Sequence, residues 1–211
     1  MVILHTRHIW QMKPIDKSIH ITCFLLFFLL IPCTSPLVCS AGAGIIDTSK
    51  DSFAVIGGYG QSFPGWGQTT QRVETLDLVF RHNHHIFEDL GSGWYQGFHS
   101  ILMELPLHFV VSPDESLMVG LNFLAAYTFT ADPDWQPYIF GGGGPVYSFA
   151  DIPGMGAEWN GNYQFGIGLE HPLNKERNLL FEVRYHHISN GGTKEPNDPL
   201  NSCKFLIGIT F

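Results

Sequence analysis

The stretch from Leu179 to Phe211 leaves few folds open. Read with the period of two that a strand imposes, Leu179, Phe181, Val183 and Tyr185 share one face, and His187 and Ser189 continue it. Leu180, Glu182, Arg184, His186 and Ile188 occupy the other. Charges therefore stand where a soluble sheet keeps its core, opposite a face that is apolar until it reaches an imidazole and a hydroxyl. That inversion predicts a strand whose apolar side meets lipid and whose polar side lines a barrel interior. The last run repeats the pattern, with Cys203, Phe205, Ile207, Ile209 and Phe211 alternating with Lys204, Leu206, Gly208 and Thr210. A terminal aromatic on an alternating run of about ten residues fits a membrane-crossing strand, which needs ~9–11.

Composition narrows the class further. Only 14% of residues are charged and 45% are hydrophobic, against ~25% charged in soluble domains. Beyond the N-terminus no apolar run approaches the ~20 residues of a membrane helix, so the apolar residues must be spread over alternating strands. Residues 1–43 read as a cleaved signal peptide. Arg7, Lys13 and Lys17 precede the apolar run Cys23–Ile31, which Pro32 follows, and Ala41-Gly42-Ala43 offers a cleavage site. Three of the four cysteines, Cys23, Cys33 and Cys39, fall in that leader; Cys203 alone remains, so no internal disulfide is available. Losing the leader also removes Arg7, Lys13, Lys17 and Asp16, leaving a net charge of −10. A chain that acidic lacks the basic stripe that nucleic-acid binding requires.

Residues 44–211 are expected to form one all-β domain, an eight-stranded antiparallel transmembrane β-barrel of outer-membrane type. Strands are predicted at about 52–60, 69–80, 99–111, 117–129, 136–149, 160–170, 179–189 and 201–211, separated by turn clusters such as Ser112-Pro113-Asp114-Glu115 and Ala131-Asp132-Pro133-Asp134. Pro106 should mark a bulge or a kink in the third. Segment 81–97 is long for a turn and leaves room for a short extra element. An even strand count is expected to put both termini in the periplasm and loop 190–200 at the outer face.

Three motifs carry chemistry or mimic it. Gly141–Gly144 resembles a phosphate loop, but no Lys-Ser/Thr follows and no helix is signalled, so close packing of neighbouring walls is the better reading. His82, His84 and His85 lack an obvious further ligand and read as a solvated turn rather than a metal site. His187 and Ser189 are different. Two residues apart on one strand face, their Cβ atoms lie about 6.5–7 Å apart, within reach of an imidazole–hydroxyl hydrogen bond. The following Asn190-Gly191-Gly192 supplies an amide and glycine-freed N–H groups, so Asn190 and Gly191 are candidate oxyanion donors. On residues alone, a serine esterase and an interfacial polar patch stand level.

The run Arg184-Tyr185-His186-His187-Ile188-Ser189-Asn190-Gly191-Gly192-Thr193-Lys194-Glu195-Pro196-Asn197-Asp198-Pro199-Leu200-Asn201-Ser202 resembles the signature of the lipid A 3-O-deacylases of the PagL type. Weaker similarity reaches back through 162–170 and 137–147. The resemblance implies an eight-stranded outer-membrane barrel that removes an ester-linked acyl chain from lipid A with a Ser-His-acid triad. It makes Ser189 the nucleophile, His187 the general base and Asn190 an oxyanion contributor. The position matching the acid is Asn201, an amide that cannot lend charge to an imidazolium. Glu195 and Asp198 in the adjoining loop are alternative orienting groups, and on this reading Asn201→Glu should raise the rate.

The implied partners are lipid A of lipopolysaccharide in the outer leaflet and the outer-membrane insertion machinery; a homo-oligomer stays open, and nucleic acid is excluded. No cofactor and no metal are expected, and the place is the bacterial outer membrane. The rival reading is a non-enzymatic small outer-membrane barrel with a structural or adhesive role.

Overall fold

The computed structural model describes residues 51–211; the leader expected over residues 1–43 and the first residues of the 44–211 domain lie outside them. Nine strands follow in order: β1 (Ser52–Ser62), β2 (Glu74–Leu90), β3 (Gly97–Ser112), β4 (Ser116–Gly120), β5 (Asn122–Phe129), β6 (Gln136–Ser148), β7 (Trp159–Pro172), β8 (Asn178–Ser189) and β9 (Leu200–Thr210). All pair antiparallel with their neighbours, and β9 returns to β1, so the sheet closes on itself. Phe53 and Phe211 seal the seam with two backbone hydrogen bonds, of 3.0 and 2.9 Å. Closure removes the unpaired edges that an open sheet would present.

The ring has eight walls rather than nine because β4 and β5 are one strand interrupted at Leu121. The cause lies beside it. Both halves keep a single register against β3 and against β6, but the position facing the break on β3 is next to Pro106, which has no N–H to donate. On the other side Leu121 N donates to the carbonyl of Pro145 at 3.0 Å. The kink expected at Pro106 thus appears in the neighbouring strand, while β3 runs unbroken. Segment 81–97 is also resolved. The second strand extends to Leu90, past the expected end near 80, and pairs with β3 as far as Gly97 through irregular steps after His85. The extra element is one 3-10 turn at Gly93–Tyr95.

Alternation assigns the two faces as expected. Phe53, Phe80, Phe123, Ile167, Phe181, Val183, Phe205 and Ile207 all point outward, with Ile167 63% and Phe205 61% exposed. The inner face is filled. At mid-height Arg184 grips Glu104 with both terminal nitrogens (Nη1 to Oε2 2.9 Å, Nη2 to Oε1 3.0 Å) and also bonds Glu182. Arg81 bridges the same two carboxylates, and the Tyr138 hydroxyl donates to Glu182. Lys204 donates to Asp77 at 2.6 Å, and His108 Nδ1 lies 2.8 Å from the other Asp77 oxygen. Buried charges are tolerable only when paired and bonded in this way. Apolar layers lie on either side: Ile56, Val79, Leu124, Phe140 and Leu206 in one, and Val110, Met118, Val146, Ile188 and Leu200 in the other.

Two motifs resolve here. A Cβ on Gly143 would fall 2.0 Å from the Asn162 carbonyl oxygen and one on Gly144 1.9 Å from that of Leu121, so the glycine run is where adjacent strands leave no room for side chains. His82 and His84 are not in a turn. Both lie within β2, where Asp51 takes His82 Nε2 at 3.0 Å and His84 Nδ1 at 2.6 Å, and the hydrogen bond from His84 holds the Asp51 carboxyl below its usual range. Phe53 stacks on the His82 ring at 4.8 Å.

Candidate active site

The ladder between β8 and β9 assembles the site before any loop is considered. His187 and Asn201 are direct cross-strand partners, so their side chains emerge side by side on one face. Ser189 follows His187 on that face by the strand period. The face is the outward one, since Phe181 and Val183 share it. The site lies at the end of the barrel that carries the loops 63–73, 113–115, 149–158 and 190–199, opposite the end where β1 starts and β9 stops.

The three side chains form a continuous hydrogen-bonded line. Ser189 Oγ lies 3.0 Å from His187 Nε2, and His187 Nδ1 lies 2.7 Å from Asn201 Oδ1. An amide carbonyl only accepts, so Nδ1 carries the proton and Nε2 presents its lone pair to the serine hydroxyl. Tyr185, two residues before His187 on the same face, donates its hydroxyl to the same Oδ1 at 2.5 Å. The Tyr163 ring, cross-strand from His187 on β7, stacks on the imidazole at 4.3 Å and 19°. His187 is half-buried between these groups.

Asn201 is buried although its register points outward, because loop 63–73 folds over it. Its Nδ2 donates to the Trp66 carbonyl at 2.7 Å and to Thr69 Oγ1 at 2.9 Å, and its backbone N–H also donates to Thr69 Oγ1 at 2.9 Å. The Phe63 N–H returns a bond to the Asn201 carbonyl at 3.1 Å. The Trp66 ring meets Tyr185 edge-on at 5.8 Å.

After Ser189 the chain makes a tight turn. Gly191 and Gly192 have φ of +67° and +79°, the left-handed region that glycine enters without strain. The Thr193 N–H closes the turn on the Asn190 carbonyl at 3.3 Å. Asn190 bonds across the loop. Its N–H donates to Asn197 Oδ1, its Nδ2 to the Lys194 carbonyl, and its Oδ1 accepts from Gly192 N–H. Among the described residues the Gly191 N–H takes part in none of the turn's hydrogen bonds. Among the described residues the Gly191 N–H and the second Nδ2 hydrogen of Asn190 are left over by these bonds, while the rest of the Asn190 amide shapes the turn. The two other candidate orienting groups stand apart from the imidazole. Asp198 Oδ2 accepts from the Thr70 hydroxyl at 2.8 Å, and Glu195 is exposed in the loop.

Sequence reading missed Tyr163, Tyr185, Trp66 and Thr69. Tyr185 was visible, since it precedes His187 on the same face. Tyr163 required the β7–β8 register, and nothing in the loop's local pattern marked Trp66 or Thr69 as partners of a residue more than a hundred positions away.

With this geometry in view, the comparisons are informative. The family model described as lipid A 3-O-deacylase (PagL) matches residues 75–210. No curated protein matches the chain. Among solved structures, Neisserial surface protein A aligns with a TM-score of 0.58 at 10% identity, covering 76% of this chain and 95% of that one. The outer membrane enzyme PagL aligns with a TM-score of 0.48 at 21% identity, covering 75% and 97%. A de novo designed transmembrane β-barrel aligns with a TM-score of 0.42 at 14% identity, covering 76% and 92%. The fold is that of outer-membrane β-barrels. The match over 75–210 spans most of the barrel and includes the whole Ser189–His187–Asn201 line, and the chain belongs to the lipid A 3-O-deacylase (PagL) family.

Proposed function

We propose that this barrel hydrolyses the ester-linked acyl chain at the 3-O position of lipid A, with Ser189 as nucleophile and His187 as general base. The supporting observation is the line from Ser189 Oγ through both ring nitrogens of His187 to an amide oxygen, on the outward wall of the barrel. A lipid substrate that stays in its leaflet can reach an outward wall, whereas the interior is filled by paired charges. Further down the same wall a shallow apolar groove of about 470 Å³, lined by Ile167, Leu169, Phe181, Val183, Phe205 and Ile207, offers an acyl chain a surface to lie on.

In the forward step His187 Nε2 takes the Ser189 proton as Oγ attacks the ester carbonyl. The carbonyl oxygen becomes an oxyanion, for which the Gly191 N–H and the Asn190 amide are the proposed donors. Collapse breaks the ester C–O bond, and His187 returns the proton to the departing sugar hydroxyl. Water, deprotonated by His187, then attacks the acyl-Ser189 ester and releases the fatty acid. Asn201 keeps the imidazole turned and protonated on Nδ1 throughout, without lending negative charge.

The test is covalent labelling. Purified, folded barrel treated with a fluorophosphonate should carry the adduct on Ser189, and lipid A from cells expressing the protein should lose one acyl chain by mass. A folded barrel that neither labels nor changes lipid A is the outcome expected of a non-enzymatic structural or adhesive barrel.

A further inference from the structure

An amide can face an imidazole with either end, and only one end suits a serine esterase. We propose that Thr69, together with the backbone carbonyl of Trp66, is the positioning device that keeps the Asn201 oxygen toward His187, so that loop 63–73 sets the tautomer of the base. This role presupposes the esterase activity proposed for Ser189 and His187.

A primary amide has two donor hydrogens and two acceptor lone pairs. In Asn201 all four are engaged. Oδ1 accepts from His187 Nδ1 at 2.7 Å and from Tyr185 at 2.5 Å; Nδ2 donates to Trp66 O at 2.7 Å and to Thr69 Oγ1 at 2.9 Å. The Trp66 carbonyl has no hydrogen to give. Turning the amide over would set two carbonyl oxygens face to face at that contact. It would also present N–H to His187 Nδ1, driving the ring proton to Nε2, where it would confront the Ser189 hydroxyl and remove the base. Thr69 is 3% exposed, and its one oxygen accepts from both the side chain and the backbone N–H of Asn201. The carbonyl therefore selects which end of the amide faces His187, and the hydroxyl ties the side chain and the strand to the loop that carries that carbonyl. A carboxylate would not need this device, because its two oxygens are alike. Thr69 acts through Asn201 and is a positioning residue, not a catalytic one.

The experiment uses the full barrel folded in detergent micelles, with 15N-labelled histidine and His187→Ala to assign the signal. Wild type should hold the His187 proton on Nδ1. Thr69→Val keeps the shape and removes the acceptor; His187 should become a mixture of tautomers, and kcat on a soluble ester should fall roughly tenfold, about the worth of one hydrogen bond, with KM little changed. Thr69→Ser should restore both. If Thr69→Val does not insert, Thr69→Ala removes the same acceptor with less crowding and is read in the same way. A wild-type proton on Nε2 would overturn the proposal, as would a folded Thr69→Val barrel with an unchanged tautomer. A tautomer that depends on Thr69 in a barrel whose Ser189 takes no fluorophosphonate would uphold the positioning and refute the esterase.

Discussion

Replacing Asn201 by aspartate separates the two things a third triad member can supply, orientation and charge. The swap keeps the size of the side chain and exchanges Nδ2 for an oxygen. That oxygen would meet the Trp66 carbonyl at the 2.7 Å now occupied by a hydrogen bond. Losing the bond and leaving the pair unmatched costs about 1–3 kcal/mol, whereas the Thr69 hydroxyl can rotate and donate. This cost is present before and during reaction alike, so it falls on the attachment of loop 63–73 and not on turnover. The gain falls on turnover alone. As His187 becomes an imidazolium, a carboxylate about 4 Å away stabilises it by ~1 kcal/mol if the site behaves as water and ~4 kcal/mol if it behaves as a protein surface. That range corresponds to a rise in kcat of roughly fivefold to several hundredfold. Asn201→Glu, which sequence alone recommends, should gain less, because its extra methylene has no room between His187 and the Trp66 and Thr69 contacts. The assay is kcat on a short-chain ester, paired with hydrogen exchange over 63–73. Asn201→Asp should be faster and its loop less protected. A slower Asn201→Asp enzyme with unchanged loop protection would refute the reasoning, because orientation would be intact and the added charge would still have failed to help.

Ser189→Ala and His187→Ala should each abolish ester hydrolysis in a barrel that still shows heat-modifiable migration, and the double variant should be little worse than either, since the two act as a unit; residual full activity in either single would remove it from the mechanism. Glu104→Gln should lower stability by about 3–5 kcal/mol in urea unfolding from lipid vesicles, because Arg81 and Arg184 would be left sharing Glu182 alone. Gly144→Ala should cost about 1–3 kcal/mol and reduce the inserted fraction, since its Cβ meets the Leu121 carbonyl oxygen and β5 and β6 would have to part; normal insertion would contradict the close approach.

What the sequence made legible follows from the strength of the alternation. Along β8 every residue from Leu180 to Ile188 falls on the side that a period of two assigns, because one register error would move Arg184 into lipid and Phe181 into the charged interior. His187 and Ser189 could be paired from that rule alone, and the Asn201 position from the same rule on β9. Illegible were the features set by neighbours distant in the chain. The end of β2 at Leu90 depends on β3, and the break at Leu121 depends on Pro106 in the next strand. The Asn190 side chain showed its chemistry in the sequence, whereas its bonds to Lys194 and Gly192, which shape the turn, did not show. The same limit hid Thr69.

The contrast between ladder and loop explains why an amide can stand where the family signature implies an acid. Two of the three positions come from β8 at a spacing of two, and the third is the direct partner of one of them across to β9. Backbone hydrogen bonds of a closed sheet hold all three, so distance is set without help from the loops. Orientation is the one degree of freedom left over, and it exists only because an amide has two unlike ends. Loop 63–73 removes it through an acceptor-only carbonyl and a buried hydroxyl, both joined to a residue that the loop also holds by its backbone. A barrel with a carboxylate at this position could lose those contacts and keep its base correctly turned. This one could not, and under the proposed function the loop between β1 and β2 serves the orientation of the base as well as the connection.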